Sequence, residues 1–228
     1  MIKLHFYYLF SKVNILIMSI ILILITIIYS ININIFDNYI LEFINKKEIL
    51  INYQNIYIMI CKLLNILFSC YLFGYAFYYS NDNYCVLFDH FRNNRLPYLF
   101  SKIMVLTIIS ILYNIIIYLL YLLIGIIGNR YFNFEYISLN IFLQSLFICL
   151  IYGYISSSLV LILKSYFVIL IPYVLFVISE IITNDIFASY YQILFPTILI
   201  NNVNYVLLIL LIINYLLILT ICYLKHEI

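Results

Sequence analysis

Run after run of this chain is apolar over about 20 residues, the length a helix rising 1.5 Å per residue needs to cross a hydrocarbon core about 30 Å thick. Six runs qualify: Val13–Ile31, Asn55–Tyr79, Ile103–Ile127, Ile137–Leu163, Tyr166–Ile182 and Val203–Leu224. Of the 228 residues, 68% are hydrophobic and 9% charged, against about 25% charged in soluble domains. A water-soluble globule of this size cannot hide so much apolar surface, so lipid is the solvent. The expected fold is an all-α membrane protein, a single domain over residues 1–228 with six transmembrane helices.

The fourth and fifth runs are nearly continuous. As one helix, Ile137–Ile182 would be roughly 70 Å long, more than twice the bilayer core. It must fold back, and its one basic residue, Lys164, is followed by Ser165, so a tight hairpin is expected there. Pro172 should kink or loosen the fifth span, which membrane helices tolerate. Between the fifth and sixth runs, Thr183–Asn202 holds Asp185, Pro196 and the pair Asn201-Asn202. It reads as an outer-surface or half-inserted element broken at Pro196.

At the start of the chain, Met1–Lys12 sets Ile2, Phe6, Leu9 and Phe10 on one helical face with Lys3, Ser11 and Lys12 off it. That pattern suits an interfacial helix over residues 1–12, or else a basic flank that sets topology. The run after it outlasts an ordinary signal core and ends in Tyr29-Ser30-Ile31-Asn32 without a small-x-small cleavage site; it is expected to be a retained span. Lys3, Lys12, Arg92, Arg95, Lys102, Lys164 and Lys225 fall on one side of the six-span arrangement. Lys46, Lys47 and Arg130 fall on the other, with Lys62 near the outer end of the second span. Basic residues collect in the cytoplasm, which puts both termini there.

Residues 81–97 form a short charged island between two apolar runs. Tyr84, Leu87, Phe88 and Phe91 recur at i, i+3, i+4 and i+7, giving one apolar helical face, while Asp82, Asp89, His90 and Arg92 fall mostly away from it. A simple turn needs only a few polar residues. An amphipathic helix lying in the membrane surface, charged side to the cytosol, is a place for something to dock; a solvated loop obeying the positive-inside bias is the plainer reading.

Catalytic chemistry is not visible. The histidines His5, His90 and His226 show no metal spacing, and Cys61, Cys70, Cys85, Cys149 and Cys222 are scattered. No glycine belongs to a phosphate-binding loop, and a serine-protease reading of Gly153-Tyr154-Ile155-Ser156 lacks a histidine in any span. No cofactor is expected in this chain. Nor is nucleic acid, since no basic patch with interleaved aromatics lies outside the runs. Glu180 is the deepest acid, within a turn of the end of its span. Ser156, Ser157 and Ser158 read as small residues that let helices approach; Asn65, Asn114 and Gln144 either bond between helices or line a path. The abundance of Ile, Asn, Lys and Tyr (26 tyrosines) matches A/T-rich codons, which blurs any tyrosine-belt argument.

Six spans, an interfacial N-terminal helix, an amphipathic helix after span two, a tight turn between spans four and five and a proline-broken element before span six together resemble the permease subunits of type-2 ABC exporters. The likeness is to the small kind associated with bacteriocin, lantibiotic or peptide-toxin export and immunity. Its most specific part is Asp82 followed by Arg95, Tyr98, Ser101 and Lys102, with Pro196 before the last span. Many such permeases carry a glutamate and a Gly-Thr pair where this chain has Asp82-Asn83-Tyr84-Cys85-Val86. The resemblance implies a half-transporter in a bacterial cell membrane, paired with a second permease subunit, identical or paralogous. A cytoplasmic ABC ATPase would bind ATP and magnesium and drive an amphiphilic cargo such as a peptide. Residues 81–97 would then be a coupling helix. Asp82, Asp89, His90, Arg92 and Arg95 would meet the ATPase, while Tyr84, Leu87, Phe88 and Phe91 face membrane lipid and neighbouring spans. The competing expectation is an autonomous secondary transporter or channel, which calls for buried ionisable groups or unwound helix within the membrane. An intramembrane enzyme or an immunity protein acting without ATP are further alternatives.

Overall fold

The computed structural model describes residues 12–32, 43–83, 95–128, 132, 139–182 and 205–226, almost all of them helical. In chain order these are α1 (Lys12–Asn32), α2 (Phe43–Ile60), a π-helical turn (Cys61–Asn65), α3 (Ile66–Asn83), α4 (Arg95–Gly128), α5 (Leu139–Leu163), a 3-10 segment (Tyr166–Leu170), α6 (Ile171–Ile182) and α7 (Tyr205–His226). Four helical stretches are long and apolar enough to cross a membrane: Leu50–Tyr78, Leu96–Gly128, Leu139–Leu163 and Leu208–Lys225. Met18–Ile31 and Tyr166–Ile178 are apolar but shorter.

What separates inside from outside in these helices is position, since both faces are apolar. In α1, Ile25 and Tyr29 are buried while Ile20, Ile23, Leu24, Ile27 and Ile31 are exposed. In α4, Leu99, Ile103, Leu106, Ser110, Tyr113 and Ile117 recur at alternating three- and four-residue steps and face inward. Met104, Ile108, Leu112, Leu119 and Leu123 cover the opposite side. Exposed leucine and isoleucine along a whole helix face are stable against hydrocarbon and costly against water.

α5 is the centre. Every residue from Ile148 to Ser158 is buried, which requires neighbours all round. α3 packs against it most extensively, α7 next, and α4, α6 and the 3-10 segment also touch it. Small side chains make the α3–α5 contact. A Cβ on Gly74 would sit 2.6 Å from Ser156 Oγ and 2.8 Å from Ile169 Cγ2, and one on Gly153 would sit 2.8 Å from the Phe73 ring. Hydroxyls fill the remaining gaps by donating to the neighbouring backbone. Ser69 donates to the Cys149 carbonyl at 2.6 Å, and Ser156 shares its proton between the carbonyls of Cys70 (2.9 Å) and Ile169 (3.2 Å). The serine run therefore serves close packing, as small residues do between membrane helices.

The chain reverses where Lys164 interrupts the apolar run. Lys164 adopts a left-handed backbone (φ 51°), its N–H bonds the Val160 carbonyl at 2.9 Å, and Ser165 is extended. A left-handed residue is a common helix terminator, and a polar one at the membrane surface accepts the exposure. The 3-10 segment then gives way to α6 with Pro172 as its second residue. Its missing N–H removes one donor to the 3-10 turn just before it, where the Ile169 carbonyl accepts from the Ser156 hydroxyl at 3.2 Å, and the span changes from 3-10 to α geometry at the proline, a local loosening of the expected kind. Pro97 stands likewise in the first turn of α4.

Two helices start earlier than hydropathy suggests. α2, the π turn and α3 run unbroken from Phe43 to Asn83, and α4 begins at Arg95, well before Ile103. Lys62, expected near an outer helix end, therefore lies inside the π turn, midway along Leu50–Tyr78 and half-buried. Lys102, expected among the cytoplasmic charges, is 3% exposed, its Nζ 4.2 Å from the centre of the Phe77 ring. Aromatic faces attract a desolvated ammonium by about 2 kcal/mol.

Gly74→Ala should destabilise the protein by about 1–3 kcal/mol through overpacking. Ser156→Ala should relieve part of that loss, because it removes the nearest colliding atom. Unfolding in detergent measures both; a Gly74→Ala midpoint equal to wild type would contradict the close contact.

Candidate functional site

Of the residues expected to form the coupling helix, Tyr84, Leu87, Phe88, Asp89, His90, Phe91 and Arg92 lie outside the described residues, as do the interfacial stretch 1–11 and the element 183–204. The two ends of the island are placed. Asp82 belongs to the last turn of α3, and Arg95 is the first residue of α4. The island is thus joined at each end to helices that continue into the bundle. α3 is held against α5 through Gly74 and Ser156, and α4 is held to α3 where Lys102 lies over Phe77.

A second constellation lies within the bundle, near the middle of Leu50–Tyr78 and Leu96–Gly128. Asn65 at the end of the π turn donates from Nδ2 to Asn114 Oδ1 at 2.9 Å and, more weakly, to Ser145 Oγ at 3.4 Å. Ser145 donates to the same Asn114 oxygen at 3.3 Å, and Asn114 Nδ2 caps the Ser110 carbonyl at 2.9 Å. The Cys61 thiol, at the other end of the π turn, lies beside Ser145 and Tyr57, and the Cys149 thiol beside Asn114 and Ser145. Three helices and the π turn so meet on one small polar core. Cys61 and Asn65 stand four residues apart, a spacing that shares one helical face, and both are 1% exposed. π turns recur at functional sites.

Beside it stands a cage of rings. Tyr121 is stacked between Tyr57 (4.3 Å, 20°) and Tyr53 (4.9 Å, 15°), with Tyr29 edge-on to Tyr53 at 5.4 Å. Tyr53 donates its hydroxyl proton to the Tyr121 carbonyl at 2.8 Å. The cage ties α1 and α2 to α4. Offset stacking and edge contacts add about 0.5–1.5 kcal/mol per pair beyond burial.

Chemically, this core is neutral. It can bind hydrogen-bond donors and acceptors, but among the described residues no group of three or more His, Cys, Asp or Glu could hold a metal. Asn65, Asn114 and Gln144 stood out in the sequence as polar residues within apolar runs, and the first two bond between helices. Cys61, Ser145 and Cys149 did not stand out. The available signal was an asparagine midway along each of two neighbouring spans, which implies a shared partner surface.

In a double-mutant cycle of Asn65→Ala and Asn114→Ala, the coupling should be about 0.6 kcal/mol and at most ~1.7 kcal/mol, the range for hydrogen bonds between membrane helices. Unfolding measurements showing strict additivity would contradict the contact. No family model, curated protein or solved structure matches this chain.

Proposed function

We propose that this chain is the permease subunit of a type-2 ABC exporter in a bacterial cell membrane. It would be one six-span half of the path for an amphiphilic cargo such as a peptide, in export or self-immunity, with both termini cytoplasmic. The observation that carries the reading is the charged island of residues 81–97 between α3 and α4. Its sequence spacing would set apolar residues on one helical face and charges on the other, and the helices at both its ends are clamped into the body. A push on such a lever moves α3 against α5 and α4 with it. Asp82, Asp89, His90, Arg92 and Arg95 would receive that push from a cytoplasmic ATPase carrying ATP and magnesium. Tyr84, Leu87, Phe88 and Phe91 would hold the lever to the membrane surface. The layout of spans and short elements resembles that family, and a second permease subunit would complete the path.

A specific observation favours a second reading, an autonomous secondary transporter or channel. Lys62 lies in a π turn midway along an apolar helix, beside a buried amide cluster, and such transporters place ionisable groups and irregular helix at that depth.

Affinity-tagged protein solubilised in mild detergent should bring down a cytoplasmic ATPase. Arg92→Glu combined with Arg95→Glu should cut its recovery at least tenfold while the permease still elutes as a folded species. Vesicles of the purified chain that transport on an ion gradient, with no ATPase recovered from the wild type, would replace the first reading with the second.

A further inference from the structure

The middle of the bundle encloses more hydrogen-bonding capacity than it satisfies. Asn65 Oδ1 and the hydroxyls of Tyr29 and Tyr113 are buried with no hydrogen-bond partner among the described residues. Tyr29 is 0%, Asn65 1% and Tyr113 3% exposed. Asn65 and Tyr113 stand together at the π turn: Asn65 is bonded through its other amide atom to Asn114 and Ser145, and the Tyr113 ring stacks on Phe68, three residues beyond Asn65, at 3.9 Å. Tyr29 belongs to the ring cage, against Tyr53 and Tyr121 at 5.4 and 6.0 Å.

In the α3–α5 contact, Ser69, Cys70 and Ser156 each find a backbone carbonyl at 2.6 to 3.8 Å. Around the π turn an amide oxygen, which only accepts, and a hydroxyl, which both donates and accepts, remain. Buried groups of this kind are satisfied by internal water, each molecule making two to four such bonds. A metal cation is disfavoured because the bonded cluster (Tyr57, Cys61, Asn65, Asn114, Ser145, Cys149) contains no carboxylate.

We propose that the bundle holds ordered water at the π turn, bound by the Asn65 amide oxygen and the Tyr113 hydroxyl. The protein then has a hydrated station midway along Leu50–Tyr78, and the Cys70 thiol, bonded in the α3–α5 contact, lies off it. This station does not depend on which transport reading holds.

X-ray hydroxyl-radical footprinting of the full chain in lipid nanodiscs tests it, because radicals formed from a trapped water oxidise only the side chains that touch it. Cys61 and Cys149 stand beside the station, and Cys70, equally buried, donates to the Tyr152 carbonyl in the α3–α5 contact. Cys61 and Cys149 should be oxidised at least ten times faster than Cys70. Equal, slow oxidation of all three overturns the proposal. Asn65→Leu should lower the Cys61 rate several-fold, and Ser156→Ala should leave it unchanged; should Asn65→Leu fail to assemble, the wild-type comparison decides alone. Labelling that changes when sodium and potassium are replaced by N-methylglucamine would put an alkali ion there and overturn the assignment to water.

Discussion

Between α3 and α5 the backbones approach so closely that a single Cβ on Gly74 would strike Ser156 and Ile169. The rest of the structure depends on that contact. Apolar side chains gain little by leaving lipid for protein, so helices hold together in a bilayer through dense packing and hydrogen bonds that have no water to compete with. Glycine at 74 and 153 supplies the packing, and Ser69 and Ser156 supply the bonds. Because α5 is buried on every side, its other neighbours take their places from it: α7 along one flank, α4 along another, and the 3-10 segment folded back by Lys164.

The two polar features sit at different levels of this frame. The charged island lies between α3 and α4 and would act at a membrane surface. The amide and thiol cluster lies near the middle of the same helices. α3 connects them, since it starts where the π turn ends and finishes at Asn83, within the island. Movement imposed on the island therefore has a direct route to the π turn, the one place where this long helix departs from α geometry. Under either transport reading, that turn is where the helix bends at least cost.

Apolar run length alone located the bodies of the helices, and Lys164 marked the reversal because no other charge was available between Ile137 and Ile171. Helix starts were less legible. Residues 43–54 carry Asn, Lys and Glu among isoleucines, so hydropathy cuts the second run at Asn55, whereas the backbone continues helical from Phe43. That shift moved Lys62 from a helix end to a helix middle. Burial of Lys102 was hidden for a similar reason: a lysine just before an apolar run looks like a topology signal until Phe77 of the neighbouring helix is seen beneath it. The π turn has no sequence signature, and Cys61, Ser145 and Cys149 look like filler until the packing of the π turn against α5 is seen. Of the candidate coupling residues, only Asp82 and Arg95 fall in described helices; the amphipathic face between them is still a statement about sequence.

The central claim is that the island lies on the cytosolic side, where a separate motor can reach it. Cys85 is inside the island, whereas Cys61, Cys70 and Cys149 are buried and Cys222 is half-buried. With Cys222 replaced by serine, a membrane-impermeant maleimide reports the side on which Cys85 stands. The account predicts no labelling in intact cells and ready labelling in inverted membrane vesicles. Labelling from outside intact cells would contradict it.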